Sequence, residues 1–125
     1  MKVPPFATDE EREGVLAMVR AAQDAGAAGI TCANTVPVQD PRMSTGRGGL
    51  SGAPLLAGSN RVIRLLRAEL GRAFPIIGSG GVMNAADARS KIKAGADLVQ
   101  IYTGLIYEGP GVVGRIAAGL LEPGD

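Results

Sequence analysis

The segment PIIGSGGVMNAADARSKIKAGADLVQIYTG, residues 75–104, gives the clearest indication of the fold class. It begins with a short apolar run, enters a glycine-rich turn, and continues into a helix-type segment that starts near Asn84 and stops at Gly95. A second apolar run, residues 98–102, follows directly. A strand, a helix and another strand in this order predict a βα unit in a parallel sheet, because parallel neighbours need a crossover connection.

The N-terminal part of the chain shows the same alternation. Thr8 and Glu11 form a capping-box pattern that predicts the start of a helix, and Gly26 can supply its left-handed stop. A strand-type run, residues 29–33, comes next. With a strand end at Lys2, this part also has the order strand, helix, strand.

The connecting segment 34–59 is rich in glycine and proline, so we expect a long loop there. A loop of this length inside a compact domain is usually functional or mobile. Ser59 or Asn60 is a candidate cap for a second helix that ends at Gly71, and a last helix is expected over residues 112–121. The fold class predicted is therefore α/β, with four βα units.

Composition excludes several functions. The chain has 125 residues with 13 basic and 12 acidic side chains, and this balance gives no reason to expect nucleic acid as a partner. It contains no histidine, which excludes a Ser-His-Asp triad or a histidine-bearing zinc site within it. No apolar run approaches the ~18 residues of a membrane span. The one cysteine, Cys32, fits a reducing compartment, so we expect a cytoplasmic location.

Glycines and small hydroxyl residues are concentrated where the predicted strands end. In a parallel α/β barrel the ligands bind at these carboxyl ends, and the loops after the last two strands often bind phosphate. Backbone N–H groups of Gly80, Gly81, Thr103 and Gly104 are candidate phosphate donors; the alternative is a pair of tight turns without a ligand. The glycine-rich run 48–52 either brings backbone close to a flat ring or is simply flexible.

Four segments in series resemble one family. They are Asn34-Thr35, Gly48-Gly49-Leu50-Ser51-Gly52, residues 75–81 and residues 98–103. In order and spacing they resemble the C-terminal half of the dihydroorotate dehydrogenases, with the closer match to the quinone-dependent class. The resemblance implies that residues 1–125 are a single partial domain, the C-terminal half of an FMN-binding (β/α)₈ TIM barrel.

The resemblance also implies an activity and a set of site residues. These enzymes oxidise dihydroorotate to orotate in pyrimidine biosynthesis and pass a hydride to FMN. Asn34 and Thr35 match the pair that holds the substrate, and Lys2 matches a lysine that contacts the flavin ring. The positions that match cofactor-binding residues of the family are Lys2, Ser51, Gly52, Gly80, Gly81, Tyr102 and Thr103.

The sequence also departs from the family. Ala33 stands where the family usually has threonine, and Arg47 stands where it usually has the threonine of Thr-Gly-Gly. The family's catalytic base, a serine, and the helices of its quinone tunnel lie in an N-terminal half that has no match here, so no catalytic residue is assigned. The resemblance implies that the isolated chain is inactive, that it needs a missing N-terminal half-barrel or a homodimer, and that its parent family is often peripheral on the membrane.

Two further functions remain open from the sequence. The first is another FMN- or phosphate-binding barrel oxidoreductase. The second is a non-catalytic half-barrel that associates with itself, since four βα units leave two edge strands with unpaired backbone groups.

Overall fold

A computed structural model describes residues 1–122. The strands are β1 (Lys2–Val3), β2 (Ile30–Cys32), β3 (Val36–Gln39), β4 (Arg47–Leu50), β5 (Ile76–Ser79) and β6 (Leu98–Gln100). The helices are α1 (Asp9–Asp24), α2 (Leu56–Leu70), α3 (Ala85–Lys93), α4 (Thr103–Glu108) and α5 (Val112–Leu121), and a 3₁₀ turn (Ala53–Leu55) leads into α2.

Four strands form one parallel sheet in the order β1-β2-β5-β6. Each of these strands is followed by a helix before the next strand of the sheet, so the predicted four βα units are confirmed. Strands β3 and β4 form a separate antiparallel hairpin inserted between β2 and α2. The carboxyl ends of all four parallel strands therefore lie at one edge of the sheet, with the hairpin beside them.

The main core lies between the sheet and the helices. Alternate strand residues are buried, as Ile30 and Cys32 are on β2, while Thr31 between them is only partly covered. This alternation is what a strand with one covered face requires. The largest fully buried apolar side chains are Val3, Leu16, Val19, Ile30, Cys32, Ile63, Leu66, Ile76 and Val112. A second cluster joins α3 to α5 through Ala88 and Ile116.

The predicted helix starts and stops are largely confirmed. Thr8 is the N-cap of α1, and its hydroxyl accepts a hydrogen bond from Glu11 N at 3.2 Å while the Glu11 carboxylate accepts one from Thr8 N. Asn84 caps α3 in the same way by accepting from Asp87 N at 2.9 Å. Gly71 ends α2 with φ of 65°, in the left-handed region that favours glycine.

Three sequence expectations were wrong in detail. Segment 34–59 is not an open loop, because it contains the hairpin and the 3₁₀ turn; Pro37 and the glycines of β4 had hidden the strand pattern. Ser59 and Asn60 are not caps, since α2 begins at Leu56 and buries both of them. The last strand stops at Gln100, and the short helix α4 begins at Thr103.

Strands β1 and β6 form the two edges of the sheet. The segment from β6 to α4 exposes large apolar side chains, which we name the β6–α4 surface: Leu98, Tyr102, Ile106 and Tyr107. Leu98 is 62% exposed although it lies in a strand. Over residues 1–122, no helix combines the length and the apolar character needed to cross a membrane.

Candidate functional site

A pocket of about 110 Å³ lies at the carboxyl ends of the four parallel strands. All nine residues proposed from the sequence line it: Lys2, Asn34, Thr35, Ser51, Gly52, Gly80, Gly81, Tyr102 and Thr103. They come from five separate parts of the chain, and the parallel sheet brings four of these parts together. Ser79, Gln100, Ile101 and Gly104 complete this edge of the pocket.

The turn after β5 has a shape that only glycine permits. Gly80 and Gly81 have φ of +98° and +83°. A Cβ atom on Gly81 would lie 2.5 Å from Leu56 Cα, so the turn runs directly against the start of α2. In the described part of the chain neither Gly80 N nor Gly81 N donates a hydrogen bond to a protein acceptor. Two N–H groups are thus available to a ligand in the pocket.

The opposite wall is the loop that follows the hairpin. Gly52 has φ of +84°, and a Cβ atom there would lie 3.0 Å from Thr103 Cγ2. Thr103 Oγ1 donates a hydrogen bond to Ser51 Oγ at 3.1 Å. The loop is therefore held close to the end of β6, and both hydroxyl groups lie at the pocket.

Polar groups at the ends of β1 and β2 form the third side. Asn34 N donates to Val3 O at 2.9 Å, which ties the end of β2 to β1. The side-chain oxygen of Asn34 accepts a hydrogen bond from Thr35 N at 2.9 Å, which directs its amide nitrogen away from that turn. Lys2 is the one basic side chain among the lining residues, and no carboxylate lines the pocket. This charge pattern suits an anionic ligand.

Sequence analysis missed a buried lysine behind the glycine turn. Lys91 on α3 is 0% exposed. Its Nζ donates to Ser59 Oγ at 2.7 Å, to Asn60 Oδ1 at 3.1 Å and to Ser79 O at 3.4 Å. Burial lowers the pKa of Lys91 to about 8. A lysine on an amphipathic helix is normally assigned to solvent, so the helical pattern around Lys91 gave no sign of its burial.

Gly78 was the available signal for Lys91. A Cβ atom on Gly78 would lie 2.6 Å from Lys91 Cγ and 2.9 Å from Ala96 Cβ. Glycine in the middle of a strand weakens the strand and usually marks a close approach by another group. Here the approaching group is the aliphatic stem of the lysine.

A larger hollow of about 370 Å³ lies next to the pocket, between the hairpin and the first turns of α1 and α2. Its lining is mainly apolar and includes Phe6, Val36, Leu50 and Val62. We assign the functional site to the smaller pocket, because the polar groups and the unpaired N–H groups converge there and not in the hollow.

Comparison with known proteins agrees with this arrangement. A family model described as Dihydroorotate dehydrogenase matches residues 1–123. The chain belongs to the dihydroorotate dehydrogenase family. The dihydroorotate dehydrogenase (quinone) of Acidovorax ebreus (strain TPSY) is 52% identical over 128 residues, which cover 97% of this chain and 36% of that relative. The dihydroorotate dehydrogenase (quinone) of Albidiferax ferrireducens is 75% identical over 71 residues, or 57% of this chain.

Solved structures of dihydroorotate dehydrogenase share the fold. A crystal structure of DHODH from Eimeria tenella in complex with ferulenol superimposes with a TM-score of 0.78 at 35% identity. The superposition covers 96% of this chain and 32% of the Eimeria tenella chain. The prediction of a partial (β/α)₈ barrel is thereby confirmed. The chain spans 36% of the length of the first curated relative, and its match is to the C-terminal part of the dihydroorotate dehydrogenase fold.

Proposed function

We propose that residues 1–125 are the C-terminal half-barrel of a quinone-type dihydroorotate dehydrogenase and that the pocket at the strand ends is its share of the FMN and orotate site. The observation that carries this proposal is the convergence of the nine residues around one pocket that has a lysine and no carboxylate. Family membership supplies the chemistry: FMN, when bound, accepts a hydride from dihydroorotate in pyrimidine biosynthesis.

The turn after β5 fits the phosphate group of FMN. Gly80 and Gly81 offer two N–H groups, and successive backbone N–H groups of this kind form a concave anion site. The hydroxyl of Thr103 lies at the same pocket, and Tyr102 borders it. A side chain at position 81 would meet the backbone of Leu56, so this close approach by a ligand depends on glycine.

The remaining residues suit the flavin ring and the substrate. Ser51 and Gly52 bring backbone close to the pocket without bulk, as a flat ring requires. Lys2 supplies a cation that can stabilise negative charge on the ring or on the orotate carboxylate. Asn34 and Thr35 supply an amide and a hydroxyl that can orient a polar pyrimidine.

We place the general base outside this pocket. Its lining contains no Asp, Glu, His or Cys side chain, and the family's catalytic serine belongs to the N-terminal half, whereas abstraction of a substrate proton needs a base within hydrogen-bond reach. We therefore propose that the isolated chain binds ligands weakly and does not turn over. The base and the quinone site would come from an N-terminal half-barrel or from a second copy, and the assembled enzyme would act at a membrane surface, where a lipid-soluble quinone is available.

A titration with FMN tests the proposal. Riboflavin, which lacks the phosphate, is titrated in parallel, and binding is followed by flavin fluorescence. We expect FMN to bind more tightly than riboflavin. Gly81→Ala should reduce FMN affinity to that of riboflavin, because the added methyl group displaces the turn. Gly114→Ala is the control, since a Cβ atom there meets nothing within 4 Å. Equal affinity of the unaltered chain for both flavins would refute the phosphate site.

The non-catalytic alternative is favoured by one observation, the exposed β6–α4 surface. A half-barrel that pairs with a copy of itself through this edge would cover those side chains without any need for flavin. A mass in solution above that of a single chain, measured in the absence of flavin, would support this second function.

A further inference from the structure

Behind the glycine turn, four buried polar residues form one connected network. Lys91, Ser59, Asn60 and Ser79 are each no more than 8% exposed. Lys91 Nζ donates to an oxygen of each of the other three, so its three hydrogens are all used. A buried ammonium group costs free energy unless it is fully hydrogen-bonded, and this network meets that need.

The network continues from Lys91 to the turn through Ser59. Because Ser59 Oγ accepts from Lys91 Nζ, its own hydrogen is directed to a carbonyl group. The carbonyls in reach are Gly80 O at 3.0 Å and Leu56 O at 3.1 Å. Lys91 also donates directly to Ser79 O. Two successive carbonyl groups of the turn, Ser79 O and Gly80 O, thus point toward the interior.

The direction of these carbonyls fixes the direction of the next N–H groups. In a planar trans peptide the C=O and the following N–H point in opposite directions. Because Ser79 O points toward Lys91, the N–H of Gly80 points away from Lys91. Because Gly80 O points toward Ser59, the N–H of Gly81 points away from Ser59. These are the two N–H groups without a protein acceptor in the described residues.

We propose that Lys91, acting through Ser59 and Ser79 O, is a positioning residue that aims the N–H groups of Gly80 and Gly81 at the phosphate of the ligand. This inference rests on the function proposed above. Lys91 does not line the pocket, so it acts through the turn and not by contact. Its positive charge also lies on the protein side of an anion site, where it adds to the attraction of the two amides.

A matched pair of serine variants separates this role from plain packing. Ser59→Ala removes the donor to Gly80 O and one acceptor of Lys91 Nζ, and it leaves the bonds from Lys91 to Asn60 Oδ1 and Ser79 O in place. Ser90→Ala is the control, because Ser90 accepts from Asn60 Nδ2 at 2.9 Å in the same network but does not touch the turn. Lys91→Met keeps the stem over Gly78 and removes the charge. Binding of FMN and of riboflavin is measured by NMR shifts of the amides of Gly80 and Gly81, which detect millimolar affinities.

We expect Ser59→Ala and Lys91→Met each to weaken FMN binding about tenfold and to leave riboflavin binding unchanged. A tenfold loss corresponds to the misalignment of one charge-assisted hydrogen bond. Ser90→Ala should change neither. Equal weakening of both flavins, or no change in FMN binding, overturns the positioning role while leaving the proposed function intact. If the unaltered chain shows no FMN shift at these amides, the proposed function is refuted and the inference is refuted with it.

Discussion

Thr103 Oγ1 donates a hydrogen bond to Ser51 Oγ at 3.1 Å, although the two residues lie 52 positions apart in the chain. The bond joins the end of β6 to the loop after the hairpin. This side-chain bond ties the loop to the strand ends, and no backbone ladder in the described structure joins the hairpin to the parallel sheet. The loop after the hairpin is therefore held at the strand ends by a contact within the pocket.

Ser51→Ala should loosen this wall without unfolding the chain. We expect FMN affinity to fall several-fold, because one neutral hydrogen bond contributes about 1 kcal/mol. The free energy of unfolding should change by less than about 0.5 kcal/mol, since the pair is exposed. Flavin titration and urea denaturation measure the two effects. Ser44→Ala, an exposed serine in the hairpin turn, is the control and should change neither. A large loss of stability in Ser51→Ala would contradict a role confined to the pocket.

Arg67 should be the most costly charged residue to remove. It is 9% exposed, and its guanidinium donates to Gly95 O at 2.8 Å, to Phe74 O at 3.0 Å and to Asp97 Oδ2. Arg67→Met leaves Gly95 O and Phe74 O without this donor and removes the ion-pair partner of Asp97, at the end of the sheet opposite the pocket, which should cost about 3 kcal/mol. Urea denaturation provides the measurement. Arg64→Met on the exposed face of α2 is the matched control, and an equal loss in both variants would contradict this explanation.

Lys91 and Cys32 should give opposite pH dependences of stability. Burial lowers the pKa of Lys91 from 10.5 to about 8 and raises the pKa of the Cys32 thiol from 9.0 to about 12. Between pH 8 and 10.5 the unfolded chain holds a lysine proton that the folded chain has lost, so this group makes stability rise with pH. Above pH 9 the unfolded chain loses a thiol proton that the folded chain keeps, so this group makes stability fall.

Single variants separate the two contributions. In Cys32→Ala the free energy of unfolding should only rise with pH, by at most about 3 kcal/mol in total. In Lys91→Met the free energy of unfolding should only fall with pH. Asp87 and Cys32 are the titratable groups that act on Lys91, and both oppose the lowering of its pKa. Urea denaturation of the unaltered chain and of both variants, from pH 7 to 10.5 under reducing conditions, measures these changes. Parallel curves of unfolding free energy against pH for the three proteins would contradict the prediction.

The β6–α4 surface should cause self-association. Ile106 is 68% exposed and Tyr107 is 78% exposed, and large exposed apolar groups of this kind mark interaction sites. Light scattering of the flavin-free chain should give a mass that rises above 12.7 kDa with concentration. Ile106→Lys should reduce that rise, and Ala68→Lys on the exposed face of α2 should not. A monomer at all concentrations would exclude the second function.

Local sequence signals predicted the framework of this fold. The Thr8–Glu11 capping box and the Asn84 cap depend only on neighbours three residues away, so they can be identified in the sequence. The carboxyl edge of the sheet follows from the parallel order, and it brings together Lys2, Asn34, Thr35, Gly80, Gly81, Tyr102 and Thr103. Ser51 and Gly52, which follow the hairpin, were proposed from the family resemblance.

The features that the sequence did not predict depend on distant partners. Serine is a residue type typical of helix N-caps, yet the Ser59 hydroxyl accepts a hydrogen bond from Lys91, 32 residues away. Lys91 itself is buried because Gly78 leaves room for its stem. The hairpin pairs Val36 with Leu50 across a turn, and its proline and glycines conceal the usual alternation.

The order β1-β2-β5-β6 has a consequence for how the chain is made. Each strand of the parallel sheet pairs with the one that left the ribosome before it, so the sheet can grow vectorially, one strand at a time, during translation. Among these four strands β6 is translated last, and it is the strand that carries the exposed Leu98. This apolar residue therefore appears only after β1, β2 and β5 have been translated.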